Sequence, residues 1–200
     1  MGKPASGKKG TVDGTKDLDL YFIAIVPDLE LQTRVTALKN EIAEKYGSKH
    51  ALRSPPHITL QMPFKWKAGR QNDLIQVLEK FSKDENSFEV GLNGYACFEP
   101  RVIFIDVKGN PKLISLQQNV SKLMRRELGI FNANYKDRSF HPHMTVALRD
   151  LRRAMFKEAW ADFSMRKFVA RFSVSSISLL KHHGHGWEVF KELKFSKDFH

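Results

Sequence analysis

The pattern Pro-His-apolar-Thr-apolar occurs twice in this chain, as Pro56-His57-Ile58-Thr59-Leu60 and as Pro142-His143-Met144-Thr145-Val146, with the two histidines 86 residues apart. With 8 histidines and 6 threonines in 200 residues, random placement gives about 0.24 His-x-Thr triplets, so two in matching contexts are a poor product of chance. Alternate residues of a β-strand share a face, so His57 and Thr59 point one way while Ile58 and Leu60 point the other. The same holds for His143 and Thr145 against Met144 and Val146. Each motif therefore buries two apolar residues and presents an imidazole beside a hydroxyl. Two such pairs suit a phosphate, since one imidazole can take a proton while the second gives one.

A chain of 200 residues that is 42% hydrophobic and 28% charged can bury a real core, as one domain or two small lobes. Its formal charge of +11 favours polyanionic partners, because a positive field raises the local concentration of phosphates. The lone Cys97 allows no intramolecular disulfide, which points to a buried, inert thiol and a reducing cytoplasm. No apolar run is long enough for a spanning helix, so no membrane partner is expected. Residues 1–17 read as a disordered basic tail, since Met1 to Lys16 is rich in Gly, Lys and Ser without an apolar segment. Residues 18–200 read as a single domain of two intertwined lobes, expected to be a monomer.

Hydrophobic periodicity predicts a strand over Leu18–Val26 and a helix capped by Asp28 and stopped by Gly47, with Leu31, Val35, Leu38, Ile42 and Ala43 on its buried face. Lys49–Pro56 is a loop, His57–Phe64 a strand and Asn72–Phe81 a helix. Two strands, Phe88–Phe98 and Arg101–Val107, meet across Glu99-Pro100. A helix over Lys112–Leu128 ends at Gly129. A strand at His143–Leu148 and a helix at about Leu151–Phe163 follow. A hairpin of Phe168–Leu180 and Trp187–Phe195 closes the chain around a His/Gly turn. Strands that bury one face predict an α+β fold with two antiparallel β-sheets and helices outside, the motif strands facing each other across a central groove.

These residues resemble the 2H phosphoesterase superfamily, in its bacterial 2′-5′ RNA ligase and cyclic phosphodiesterase branch, from about Leu18 to Phe195. Besides the two His-x-Thr motifs, Tyr21-Phe22-Ile23-Ala24-Ile25, Cys97-Phe98-Glu99-Pro100-Arg101-Val102-Ile103-Phe104 and Phe140-His141-Pro142-His143 carry the resemblance. Ser54-Pro55-Pro56 and His182-His183-Gly184-His185 depart from it. The resemblance implies a bilobal pseudo-twofold fold and metal-independent chemistry, with no cofactor, on 2′,3′-cyclic phosphates or 2′-5′ phosphodiester bonds of RNA or nucleotides.

The chemistry also follows from the residues. Opening a cyclic phosphate needs a base for the attacking water and an acid for the departing ribose oxygen, and two histidines supply both. Thr59 and Thr145 would donate to the non-bridging oxygens. The reading takes His143 as base and His57 as acid in hydrolysis. A bound phosphate should place the optimum of the enzyme–substrate complex at neutral to mildly alkaline pH. Arg149 is a candidate for a phosphate or a downstream nucleotide, on a groove face shared with Gln61 and Ala147. Trp66 and Tyr135 are candidates for stacking a base. His141 and His143 could ligate zinc with His182, His183 or His185, but no acidic ligand accompanies them and a solvated turn is the favoured reading. Two other functions remain open: a phosphodiesterase for a small nucleotide, such as ADP-ribose cyclic phosphate or a 2′-5′ oligoadenylate, and a non-catalytic RNA-binding protein.

Overall fold

The structure is a computed structural model that describes residues 17–131 and 139–196; the basic tail up to residue 16 and Tyr135 lie outside the described residues. The chain runs β1 (Leu18–Ile25), α1 (Leu29–Tyr46), a 3-10 turn (His50–Arg53), β2 (Ile58–Lys67), α2 (Gln71–Ser82), β3 (Phe88–Phe98), β4 (Val102–Val107) and α3 (Pro111–Leu128). It continues through β5 (His143–Ala147), α4 (Arg153–Phe163), β6 (Val169–Val174), β7 (Ser176–His182) and β8 (Trp187–Lys194). The two long helices begin and end on local signals. Asp28 accepts from the Leu31 N–H and Asn110 from the Leu113 N–H, while Gly47 and Gly129 close the C-termini in the left-handed conformation.

The eight strands form one curled antiparallel sheet in the order β6-β3-β4-β5-β2-β1-β7-β8. The two expected sheets are its four-stranded halves, and β2 joins β5 at a single register pair, Ile58 with Met144. The motif strands therefore lie side by side at the centre of the sheet, rather than facing each other across a groove. The expected strand Phe168–Leu180 breaks at Ser175. Its first part, β6, pairs with β3 at one edge, whereas β7 pairs with β1 and β8 in the other half. One residue cannot span a flat sheet of this width, so the sheet must curl to bring that edge to the opposite half. The apolar positions Phe172, Val174, Ile177 and Leu179 step by three rather than two between Val174 and Ile177, and this slip in phase is the local sign of the change of partner.

Helix α1 packs on β5 and α3 on β2, so each long helix covers the motif strand of the opposite half. One core cluster runs through both halves and includes Ile58, Leu60, Met144 and Val146. A second, small cluster of Phe22, Ala24 and Leu180 lies apart from it, with Val26 and Trp187 against it. Among the described residues no helix is long and apolar enough to cross a membrane.

At the outer surface Arg166, just past α4, ties that helix to α1. Its guanidinium donates to both carboxylate oxygens of Glu41, at 3.0 and 2.8 Å, and to Asp162, which also accepts from the Tyr46 hydroxyl. Arg166, with help from Lys45, holds the Glu41 carboxyl down at about 2, against an ordinary 4.5. A carboxyl lowered by folding contributes stability that is fully present above its unfolded value and is lost as pH falls through the folded one. Arg166→Met should therefore lower stability above pH 4.5, with the difference from wild type shrinking as pH falls towards 2. Urea unfolding followed by circular dichroism at pH 7, 4.5 and 2.5 checks this, and a difference independent of pH would contradict it.

Candidate active site

The pairing of Ile58 with Met144 sets the two motifs against each other. By antiparallel register it puts His57 opposite Thr145 and Thr59 opposite His143, all four on the face turned away from the core. Directly opposed side chains start about 5 Å apart, and the diagonal pair His57 and His143 about 7 to 8 Å apart, which leaves room for a phosphate between the rings. Each shared face ends one residue after its threonine. The register of β2 shifts between Thr59, paired with Ala24, and Gln61, paired with Ile23. That of β5 shifts between Thr145, paired with Phe104, and Ala147, paired with Ile103. The extra residues are Leu60 and Val146, and a bulge of this kind turns the following side chain out of alternation. Gln61 and Ala147, expected on the groove face, are instead buried opposite the core residues Ile23 and Ile103.

Both imidazoles are held in the same way. Nδ1 of His57 lies 2.7 Å from the Pro55 carbonyl, and Nδ1 of His143 lies 2.7 Å from the His141 carbonyl. A carbonyl only accepts, so Nδ1 carries the proton in each ring. Each Nε2 is then a lone pair in the neutral imidazole and an N–H in the cation. The motif prolines explain the geometry, since residue i−1 of a proline is pushed to extended backbone. That residue is Pro55 before Pro56 and His141 before Pro142, the two whose carbonyls receive the bonds.

Each ring also rests on an aromatic bed. His57 sits 4.9 Å from the Phe22 ring of β1, which Trp187 meets edge-on at 4.6 Å. His143 sits 5.0 Å from Phe104 of β4 and 5.2 Å from Phe98, edge-on. These aromatic residues were not foreseen as part of the site. The available signal was that Tyr21–Val26 and Val102–Phe104 are apolar on both faces, so something besides the core had to cover the second face.

The electrostatics differ between the two rings. Burial pushes His57 down to about 4, with the charges of Lys39 and His143 in the same direction and the Pro55 hydrogen bond opposing them. Burial also lowers His143 below 6.5, with the charge of His141 in the same direction and the His141 backbone hydrogen bond and the Asp106 carboxylate opposing them. Asp106 is the register partner of His143 on β4. The matching place beside His57, one residue beyond Ile25, holds Val26. His143 thus has an anion where His57 has an isopropyl group.

Other expected residues are placed elsewhere. Trp66 lies seven residues beyond Thr59 along β2, about 20 Å away. Its indole donates to the Arg70 carbonyl and the Arg70 guanidinium covers its ring, so it is not brought to the motifs. Arg149 is exposed just past β5 with φ 58. The adjacent Asp150 carboxylate ties this turn to the Ser48 hydroxyl and to the Lys49 and His50 N–H groups. His141 is exposed, 3.7 Å from Asp106. His182 stands against Trp187, and the turn after it bonds to itself. Among the described residues no three His, Cys, Asp or Glu side chains are grouped to hold a metal. Burial raises the Cys97 thiol, which makes it a poorer nucleophile.

The two stretches that depart from the family pattern meet. Gly186, at the tip of the β7–β8 hairpin, backs onto the Arg53 carbonyl so closely that a Cβ there would stand 2.7 Å from that oxygen. A side chain at 186 would push the hairpin off the loop that carries Pro55.

The comparisons with known proteins agree with this geometry. The profile of the 2′-5′ RNA ligase superfamily matches residues 27–186, which include both motifs. A protein of Oceanobacillus iheyensis named a putative phosphoesterase is 27% identical over 179 residues, covering 89% of this chain and 99% of its own length. A relative of the same name from Geobacillus sp. is 26% identical, with 86% and 93% covered. Among solved structures, E. coli LigT complexed with 3′-AMP superposes with a TM-score of 0.68 at 19% identity, over 90% of this chain and all of that one. The Thermus thermophilus protein TT0787 superposes with 0.63 at 17% identity, over 89% and 98%. The structural likenesses show a shared fold, and the family match extends over both motif strands and the helices between them: this chain belongs to the 2′-5′ RNA ligase superfamily of 2H phosphoesterases.

Proposed function

We propose that the protein is a metal-independent phosphoesterase that acts on 2′,3′-cyclic phosphates or 2′-5′ phosphodiester bonds of RNA, with His57 and His143 as its acid–base pair. The observation that carries this reading is the matched tethering of the two imidazoles, each with Nδ1 bound to the carbonyl two residues back and Nε2 left for proton transfer. The formal charge of +11 supports RNA over a small nucleotide, because the affinity of a polyanion rises with the number of phosphates contacted. LigT, which shares the fold, was crystallised with 3′-AMP.

In the hydrolytic direction water attacks phosphorus in line, and its proton passes to Nε2 of neutral His57. The bond from phosphorus to one ribose oxygen breaks as that oxygen takes the Nε2 proton of His143. This exchanges the roles expected from sequence. The reason lies in the surroundings: burial and the Lys39 charge push His57 down to about 4, whereas His143, also lowered by burial and the His141 charge, has the Asp106 carboxylate beside it to favour its cation. The ligation direction reverses both transfers. Thr59 and Thr145, across the strand pair from the opposite histidine, donate to the non-bridging oxygens as charge builds there. Arg149, exposed beyond the end of β5, is a candidate contact for a downstream phosphate.

His57→Ala and His143→Ala should each lower turnover by about 10² or more on a short RNA ending in a 2′,3′-cyclic phosphate. Thr59→Val and Thr145→Val should each cost about 1.5 to 3 kcal/mol of transition-state stabilisation, one charge-assisted hydrogen bond. A product assay resolving 2′- from 3′-phosphate, with folding checked by circular dichroism, reads these effects and names the leaving oxygen. Near wild-type turnover in either folded histidine variant would remove the acid–base pair.

Because both proton transfers are supplied by imidazoles, activity should also survive exhaustive chelation. Loss with EDTA that zinc or manganese restores would instead make His141 and His143 ligands.

A further inference from the structure

Lys39 is a charged residue on the buried face of α1. It is 2% exposed, and its one hydrogen bond among the described residues runs 3.0 Å from Nζ to the Ser54 carbonyl. Burying an ammonium costs several kcal/mol, and a single carbonyl satisfies one of its three N–H donors. An apolar residue would fill the position at lower cost, so the charge calls for a reason.

The bond partner supplies one. Ser54 precedes Pro55, whose carbonyl holds Nδ1 of His57, and Ser54 is extended, with φ −146 and ψ 151, as a residue before proline must be. Two stiff residues therefore separate the carbonyl that Lys39 grips from the imidazole that Pro55 orients. The ammonium also lies close enough for its charge to act on that ring. Among the described residues no buried lysine stands behind His143: the carbonyl holding it comes from exposed His141, and the charges that act on it are those of His141 and the Asp106 carboxylate.

We propose that Lys39 is a positioning residue for His57, fixing the Ser54–Pro56 loop that aims the imidazole and setting a positive charge behind it that keeps the ring in its proton-accepting form. The proposal rests on the reading of His57 as the base. Burial lowers Lys39 to about 8, so it stays protonated through the whole range in which His57 titrates. Charged groups around Lys39 are Arg53, Glu188 and, when protonated, His185, which line the same cavity of about 560 Å³ with Ser54, Pro55 and Trp187. Around His57 they are Lys39 and His143.

The test is the titration of both imidazoles by NMR in the free protein, together with kcat/KM against pH on a 2′,3′-cyclic phosphate. Lys39→Met and Lys39→Gln both remove the charge, while Gln keeps a donor for the Ser54 carbonyl and guards against loss of folding. Both should raise the His57 midpoint by at least about 0.5 pH unit and leave that of His143 in place. The acidic limb of kcat/KM should move up with it, an activity loss of about threefold below the limb, with the alkaline limb unmoved. Lys39→Arg should restore the wild-type midpoint. An unmoved His57 midpoint in a folded neutral variant, or equal shifts of both histidines, would overturn the proposal. The midpoints are read without turnover, so a wild type inactive on cyclic phosphates would defeat the functional reading and leave the role of Lys39 to be decided by NMR.

Discussion

The pairing of Ile58 with Met144 joins the two halves of the sheet, and the arrangement of the reactive groups depends on it. Both side chains are fully buried, each contributing about 1.5 to 3 kcal/mol, and the helix covering each comes from the opposite half. A slip of one residue between β2 and β5 would turn the histidines and threonines into the core. The hydrophobic pattern that builds the core is therefore the same pattern that places two imidazoles and two hydroxyls on one surface. The bulges at Leu60 and Val146 limit that surface to four residues, because beyond them both strands return their side chains to the core.

Much of this was legible in the sequence because it is written in local chemistry. The caps at Asp28, Gly47 and Gly129, the strand alternation of the motifs and the α+β class all follow from periodicity and turn residues. What was hidden depends on contacts distant in sequence. The break at Ser175 shows in the sequence as a one-residue slip of the alternation between Val174 and Ile177, but which strand each part then pairs with is not written there. The bulges after Thr59 and Thr145 are one-residue events that no periodicity records, and they undid the expectation that Gln61 and Ala147 line the groove. Trp66 looked available because its neighbours are polar, yet those neighbours include Arg70, which occupies it. Lys39 could have been found. It lies four residues after Val35 and three before Ile42, on the buried stripe of α1, where a lysine is out of place.

The two halves match in fold and differ in charge. Both histidines use the carbonyl two residues back, and both rest on a phenyl ring from the neighbouring strand. Pseudosymmetry alone would give two equivalent imidazoles, and equivalent groups cannot divide the roles of acid and base before substrate arrives. Lys39 and Val26 on one side, and Asp106 on the other, make them different. The hairpin tip at Gly186 buttresses the loop of His57 through the Arg53 carbonyl.

The claim that one imidazole must be neutral while the other is protonated is tested most directly by kcat/KM and kcat measured from pH 4 to 10. In the free protein the productive form is populated between the His57 value of about 4 and that of His143, which lies below 6.5. The kcat/KM profile should therefore be a bell with its optimum on the acid side of neutrality. A bound phosphate favours both imidazolium forms, so the kcat bell should lie at higher pH. The limbs belong to the coupled pair. His57→Gln should flatten the acidic limb and His143→Gln the alkaline one. A wild-type rate that rises monotonically with pH, with no alkaline limb, would mean that no protonated histidine is needed and would contradict the account.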